Sequence, residues 1–332
     1  EMDSPRGRIV LMKEVLEGRL TAEAVQQYID PCLGCLACEP ACPSGVSYRN
    51  LISPFKALTK SKQKRTWGEK FSRAIAERSL PYPRRFRIAT RLGRLAKPFA
   101  KLLPKPLRVM LDLLPDQLPP RQDFPETIKP SGKLRGRVAL LAGCAQQVLD
   151  PDINAATIEV LTRNGVEVII PPKQGCCGAL SWHIGNLAQA QKFARQNLEA
   201  FPNDVDAIIT NAAGCGSGLH EYDLILKGTA FEKQAEAFAS KVCDISVFLH
   251  RLGDLEPIPD DGSKRRIAYH DACHLANAQG VRSEPRSLLL MIPGTEVVDV
   301  PEANNCCGSA GTYNIDQPEI AATLGRKKAE KV

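Results

Sequence analysis

"GRVALLAGC", residues 136–144, and "RRIAYHDAC", residues 265–273, are two versions of one pattern: a short apolar run that reads as a strand and delivers a cysteine at its carboxyl end. The match continues downstream. "NGVEVIIPPKQGCCGA", residues 164–179, parallels "PGTEVVDVPEANNCCGSA", residues 293–310: a glycine-led strand followed by a loop carrying Cys-Cys-Gly. Between lone cysteine and pair lie 31 residues in the first copy and 32 in the second, and the lone cysteines stand 129 positions apart. Spacing kept this closely marks an internal duplication.

Within each copy, "PDINAATIEVLTRNG" and "RSEPRSLLLMIPG" read as helices ended by glycine, so each copy runs strand, helix, strand. That is an α/β unit with a short parallel sheet, whose ligands gather at the carboxyl ends of the strands, where these cysteines fall. After its Cys-Cys-Gly the first copy continues through the helical "LAQAQKFARQNLEAF" to a third strand, "VDAIITNAAGC", ending in Cys215. Cys144, Cys176, Cys177 and Cys215 are therefore expected to share one pocket. In the second copy Cys273, Cys306 and Cys307 are the equivalents, and the position matching Cys215 falls beyond Val332. The two halves of residues 137–332 are expected to superpose. Glycine after each pair suits a chain turning tightly around a ligand, since glycine takes positive φ without strain.

A second cysteine pattern lies upstream. "DPCLGCLACEPACPSG", residues 30–45, places Cys32, Cys35, Cys38 and Cys42 in the spacing C-x2-C-x2-C-x3-C-P. Disulfides between thiols this close along a turn-rich segment mostly fail the required Cα separations. The spacing suits an iron-sulfur cube held by three thiolates, the fourth reaching a neighbouring cluster. Zinc, which usually takes C-x2-C knuckles separated by a longer loop, is the rival ligand, and a zinc-stabilised scaffold the rival class of protein.

A chain of 332 residues with 43% hydrophobic content can build two or three cores, and a soluble multi-domain protein is expected. No apolar run approaches the roughly 18 residues of a membrane span, and no charged-then-apolar leader opens the sequence. Twelve cysteines, two pairs of them adjacent, fit metal ligation in a reducing cytoplasm better than six disulfides. The opening "SPRGRIVLMKEVLEG" reads as a helix already inside a domain, its apolar face at Ile9, Met12, Val15 and Leu16 and its stop at Gly18.

The formal charge of +7 hides an asymmetry. Residues 56–137 carry 22 Lys or Arg against 6 Asp or Glu, whereas the segments on either side are net acidic. Ten of the 25 prolines fall between 81 and 130, so this stretch reads as short helices broken by extended pieces, a connector. A solvated linker is the plain reading. Docking on an acidic partner subunit or an anionic membrane surface is the functional one. Nucleic acid is not expected, since Trp67, Tyr82 and Phe86 sit in no recognition motif.

Together, "PRGRIVLMKEVLEG", "CLGCLACEPACPSGVSY", "GCAQQVLDPDINAAT", "GCCGALSWH", "AAGCGSGLHEY" and "NNCCGSAGTYNI" closely resemble the iron-sulfur subunit of glycolate oxidase, over almost the whole chain. The resemblance implies a multi-domain α+β protein: a helical ferredoxin-like domain (1–58) for [4Fe-4S] clusters, a basic connector (59–134), and two α/β CCG domains (135–262 and 263–332) like those of heterodisulfide reductase. It implies two clusters in a full ferredoxin-type domain and another in the CCG domains. It also implies flavoprotein partner subunits that oxidise glycolate to glyoxylate, and electrons passed on toward a quinone. Related members serve lactate or glycerol-3-phosphate dehydrogenases. Such a subunit is an oxidoreductase component, not catalytic alone, in the cytoplasm or peripheral on the inner face of its membrane.

Two departures qualify the match. The family's first C-x2-C-x2-C-x3-C-P motif would precede "SPRGR", so the Cys32, Cys35 and Cys38 cluster is expected to lack its fourth ligand here, and Cys42 the cluster it would serve, with local self-sufficiency of the four the less expected alternative. The heterodisulfide reductase pattern ends in C-x2-C, whereas Cys215 is followed by Gly216, Ser217 and Gly218, which favours a four-cysteine cube.

Other tempting residues have plainer readings. Cys243, in "KVCDISVFL" at an apparent helix start, is expected to be a buried free thiol. His183, His270 and His274 can each tune or complete a cysteine site, but a histidine satisfied by ordinary hydrogen bonds is the commoner case. No Ser-His-Asp, phosphate-cradling or paired-carboxylate arrangement supports independent hydrolytic or flavin chemistry.

Overall fold

The computed structural model of the protein describes residues 1–303 and 305–332. Among the described residues seven strands form two sheets: β1 (Thr127–Ile128), β2 (Gly136–Leu140), β3 (Val166–Ile169), β4 (Ala207–Thr210) and β5 (Val242–Asp244) in one, β6 (Arg265–Tyr269) and β7 (Thr295–Asp299) in the other. The larger sheet has the order β1-β3-β2-β4-β5, parallel except for β1, which runs antiparallel to β3.

Parallel strands are covered on both faces, so their sequences must be apolar at successive positions rather than alternately. Here Ala139, Leu141 and Ile208 enter one core with the helices Leu187–Ala200 and Glu232–Lys241. Val138, Leu140, Val166, Val168 and Ile209 enter a second core with Asp152–Arg163 and Ile245–Leu252. Cys243 lies on β5 rather than at a helix start, because Asp244 caps the helix that follows by accepting from the Ser246 N–H.

The duplication extends to register. Gly136 faces Val166 across β2 and β3, and Arg265 faces Thr295 across β6 and β7, so both strand pairs carry an offset of 30 positions. The cross-strand ion pair recurs too, as Arg137–Glu167 and Arg266–Glu296. Each second strand starts after a glycine at positive φ, Gly165 at 80° or Gly294 at 71°, where an added Cβ would strike the carbonyl of Lys133 or Ser263. The chain is thus an α+β protein with small parallel sheets and a repeated cysteine-bearing unit.

The amino-terminal region is helical. Pro5–Leu16, Ala22–Ile29 and Arg49–Thr59 surround a third core of Leu11, Met12, Val25, Ile29, Tyr48, Ile52 and Phe55. Ser4 caps the first helix at the Gly7 N–H, and Pro5 occupies its first turn, where the missing N–H costs nothing. Leu16, assigned to the apolar face by periodicity, is exposed. Leu11 is buried in its place, since the helix ends at Leu16 and the face is set by what Ile9, Met12 and Val15 meet.

The basic segment holds the helices Trp67–Ser79, Pro83–Ala96 and Lys105–Asp112. They are docked rather than free. Arg73 forms a bidentate pair with Asp316 (2.9 and 2.6 Å), and Asn186 and Gln189 donate to the side chain and carbonyl of Glu77 (2.7 and 3.0 Å). These contacts tie the segment to both cysteine-bearing units.

Candidate metal centre

β3, β2 and β4 are adjacent and parallel, so their carboxyl ends lie side by side, one inter-strand step of about 4.8 Å apart. Cys144 follows β2, the Cys176-Cys177 loop follows β3, and Cys215 sits in the helix Ala213–His220 that follows β4. The thiols meet there. Cys144 Sγ lies 3.4 Å from Cys176 Sγ, and Cys177 contacts both Cys176 and Cys215. Contact with Cys144 and Cys177, together with burial, pushes the Cys176 thiol well up, while hydrogen bonds from Cys176 and Cys215 hold Cys177 well down. The thiols form a chain of contacts, and among the described residues no three His, Cys, Asp or Glu side chains close on a single metal ion.

The loop is held from behind by residues that the cysteine pattern did not reveal. Asn197 accepts from the Gly175 N–H (2.8 Å) and donates to the Cys176 carbonyl (3.0 Å) and to Tyr222 Oη (2.7 Å). Tyr222 in turn donates to the Cys177 carbonyl (3.0 Å). Both residues lie on helices, where nothing in a single sequence separates them from ordinary core positions. Gly178, at φ 81°, turns its N–H back onto Cys176 Sγ at 3.4 Å. Gly308, at φ 80°, does the same to Cys306 Sγ at 3.3 Å. The turn has been duplicated with the strands.

Glycine also explains the missing C-x2-C. Gly218 is the position such a pattern would give its second cysteine, and a Cβ there would lie 2.5 Å from Ala179 Cβ. Gly216 is similarly pressed against Thr210 Oγ1 and Gln279. The helix bearing Cys215 packs too close for a side chain at 218.

In the second unit Cys273, Cys306 and Cys307 line one small cavity with His270 and Asp271. Contact with Cys306 holds the Cys307 thiol down at about 5, despite its partial burial. Burial first, then the charge of Cys35, raises the Cys273 thiol. Cys35 thus faces this unit although it is remote in sequence. The amino-terminal loop is docked on it: His274 Nε2 meets the Gly34 carbonyl (3.1 Å), Asn277 donates to the Cys35 carbonyl (3.1 Å), and Arg49 donates to the Ala278 carbonyl (3.0 Å).

Cys32, Cys35 and Cys38 lie in that loop, with Tyr48 Oη 3.7 Å from Cys32 Sγ. Burial, then the charges of Cys32 and Cys35, pushes Cys38 up to about 11. Cys42 behaves differently. The Val46 and Ser44 N–H groups lead in lowering its thiol, opposed by burial and helped by the Gly45 N–H and the charge of Arg6. Of the histidines, His270 lines the second cavity, while His274 bridges to the amino-terminal loop and packs against His183, ring centres 5.3 Å apart. His183 lies 3.8 Å from buried Glu221, which also accepts from Trp182 Nε1 (2.6 Å). All twelve cysteines are free, and Cys243 is buried away from the others.

Comparison with known proteins settles the family. A cysteine-rich domain family matches residues 138–220 and again 267–332, the two units seen in the fold. The chain is 38% identical to the probable glycolate oxidase iron-sulfur subunit of Bacillus subtilis, over 98% of this chain and 77% of that protein. With the glycolate oxidase iron-sulfur subunit of Escherichia coli it shares 36% identity over 99% of its own length and 78% of the relative's.

The chain belongs to the glycolate oxidase iron-sulfur subunit family. Lactate utilization protein A of Oceanobacillus iheyensis is also similar, 34% identical over 59% of this chain and 80% of that protein. No solved structure matches. The family name and the thiol geometry point to the same chemistry, because thiolates are the usual ligands of iron-sulfur clusters. The donor set at β2, β3 and β4 suits one: four thiols from three adjacent strand ends and an inward-turned glycine N–H.

Proposed function

We propose that this protein is the electron-transfer subunit of a glycolate-oxidising complex. It receives electrons one at a time from a flavoprotein subunit that oxidises glycolate to glyoxylate, and passes them toward a quinone or another acceptor. The observation that carries the reading is the meeting of Cys144, Cys176, Cys177 and Cys215 at three adjacent strand ends. Oxidation of glycolate releases two electrons and two protons, and iron-sulfur clusters, when bound, supply one-electron steps. The residues do the rest: thiolates hold the group, the Gly178 N–H donates to a ligand sulfur, and Asn197 and Tyr222 keep the loop in place. Hydrogen bonds to ligand sulfurs and burial set the potential of such a site.

In this reading Cys144, Cys176, Cys177 and Cys215 hold a [4Fe-4S] cube, and Cys273, Cys306 and Cys307 are the matching ligands of the second unit. Cys32, Cys35 and Cys38 hold a ferredoxin-type cube, with Cys42 directed to a neighbouring cluster. The division into residues 1–58, 59–134, 135–262 and 263–332 follows the same assignment. Lactate is the second donor to test, because of the similarity to a lactate utilization protein.

Anaerobically purified protein should be brown, contain acid-labile sulfide and give a cluster signal in electron paramagnetic resonance on reduction. Cys177→Ser should lose the first-unit signal, and Cys35→Ser a separate one. Colourless protein with stoichiometric zinc would sink the redox reading in favour of a scaffold. Co-purified flavoprotein should reduce the clusters with glycolate, or with lactate if that is the donor.

A further inference from the structure

The helix Pro83–Ala96 continues into the 3₁₀ helix Lys97–Leu102, a rod roughly 30 Å long. One side is used: Phe86 and Thr90 are buried, and Gly93 is pressed against Leu111 and Leu114. The opposite side carries Ile88, Leu92 and Leu95, spaced i, i+4, i+7, and these are 57, 61 and 74% exposed. Phe99 and Leu102, three apart and therefore eclipsed in a 3₁₀ helix, extend the row at 64 and 84% exposure. A periodic apolar row normally marks a core face, and this one faces outward.

The charges around it are all of one sign along the rod. Arg84, Arg85 and Arg91 flank the row, and Arg94, Lys97 and Lys101 extend the positive charge along the rod. Among the described residues only Lys97 forms an ion pair, with the almost fully exposed Asp116. At the amino-terminal end Arg84 and Arg85 open into a cleft with Arg87 and Arg121. Near the other end, Gly68 packs on Pro104 and Pro106, and its neighbour Trp67 is 70% exposed and stacked on Phe71. Among the described residues no helix is long and apolar enough to cross a membrane.

We infer that this rod lies on an anionic lipid bilayer, with Ile88, Leu92, Leu95, Phe99 and Leu102 inserted among the acyl chains and the arginines and lysines paired with lipid phosphates. An apolar stripe between cationic edges on a ridge, with a tryptophan at one end, is the composition of an interfacial helix. An acidic partner protein would answer the charge, but a single convex row offers no pocket for the anchoring side chains that concentrate protein–protein affinity. The surface lies outside the cysteine sites, so it delivers an electron-transfer subunit to a lipid-soluble acceptor without altering ligation.

The full chain should co-sediment with vesicles of equal parts phosphatidylglycerol and phosphatidylcholine and not with phosphatidylcholine alone. Binding should weaken about tenfold or more between about 0.05 and 0.5 M salt. Trp67 fluorescence should shift to the blue on binding, a change lost in Trp67→Phe because Trp182 is already buried. The triple variant I88S/L92S/L95S changes only exposed side chains, and should lose about tenfold or more of vesicle affinity while keeping its thermal transition and iron content. Arg84→Glu with Arg91→Glu should do the same. Absence of vesicle binding by the parent chain, or unchanged binding by the triple serine variant, would overturn the inference. Loss of a co-purifying protein subunit from that variant, with no vesicle binding by the parent, would assign the face to protein instead. Iron content and partitioning are separate readouts, so this inference and the redox reading can fail independently.

Discussion

Replacing Gly218 by alanine tests whether close packing of one helix holds the first thiol site together. The new Cβ would lie 2.5 Å from Ala179 Cβ and 3.1 Å from its Cα, whereas carbon atoms sit comfortably at about 3.5–4.0 Å. Relief requires the helix Ala213–His220 to move about 1 Å from the short helix Ala179–His183. Cys215 stands three positions before Gly218, and Cys177 two before Ala179, so that movement draws apart the contact between Cys177 and Cys215. Overpacking of this kind costs about 1–3 kcal/mol, a fall of roughly 3–10 °C in the transition of the unit concerned. Gly218→Ala should therefore melt lower and lose first-unit iron while keeping the signal assigned to Cys32, Cys35 and Cys38. Ala179→Gly in the same chain removes the struck Cβ and should restore part of both. Thermal unfolding followed by circular dichroism, with iron and sulfide determination, reads the outcome. A Gly218→Ala protein with unchanged melting and full iron would show that the helix adjusts freely, and the packing account of the absent C-x2-C would fall with it.

Arg286 makes two bonds to Asp271 (2.9 and 2.8 Å) and two to Asp299 (2.9 and 2.6 Å), joining the ends of β6 and β7 below the second cysteine cavity. Arg286→Met leaves the buried Asp271 carboxylate unpaired and should cost about 3 kcal/mol in urea unfolding, with Asp271→Asn recovering much of it; equal stability of parent and single variant would contradict this. Burial raises the Cys243 thiol, so iodoacetamide at neutral pH should label it only after unfolding, as mass spectrometry of native and urea-treated protein can check.

Much of the site was legible along the chain because its logic is local. A strand followed by a cysteine, and a Cys-Cys pair followed by glycine, are short patterns, and a parallel sheet places every strand's carboxyl end on the same side. Knowing that Cys144, Cys176 and Cys215 each come shortly after a strand is enough to expect them on one edge, although β4 stops at Thr210 and Cys215 opens a helix instead of ending the strand. Duplication made the reading firmer, since the same offset recurs in "GRVALLAGC" and "RRIAYHDAC".

What the tertiary structure alone decided depends on which surfaces meet, and such contacts leave no periodic trace. Strand order put β2 between β3 and β4, yet the contacts leave Cys176 and Cys177 in the middle of the thiol chain with Cys144 and Cys215 at its ends, an outcome of long-range pairing. The docking of the Gly34–Cys35 turn on His274 and Asn277 joins positions about 240 apart. Leu16 was an apolar and periodic candidate for burial, and Leu92 belongs to an apolar row of the same kind, yet both face outward. Hydrophobic pattern states which face of a helix is apolar; only the packing of neighbouring elements determines whether anything covers it.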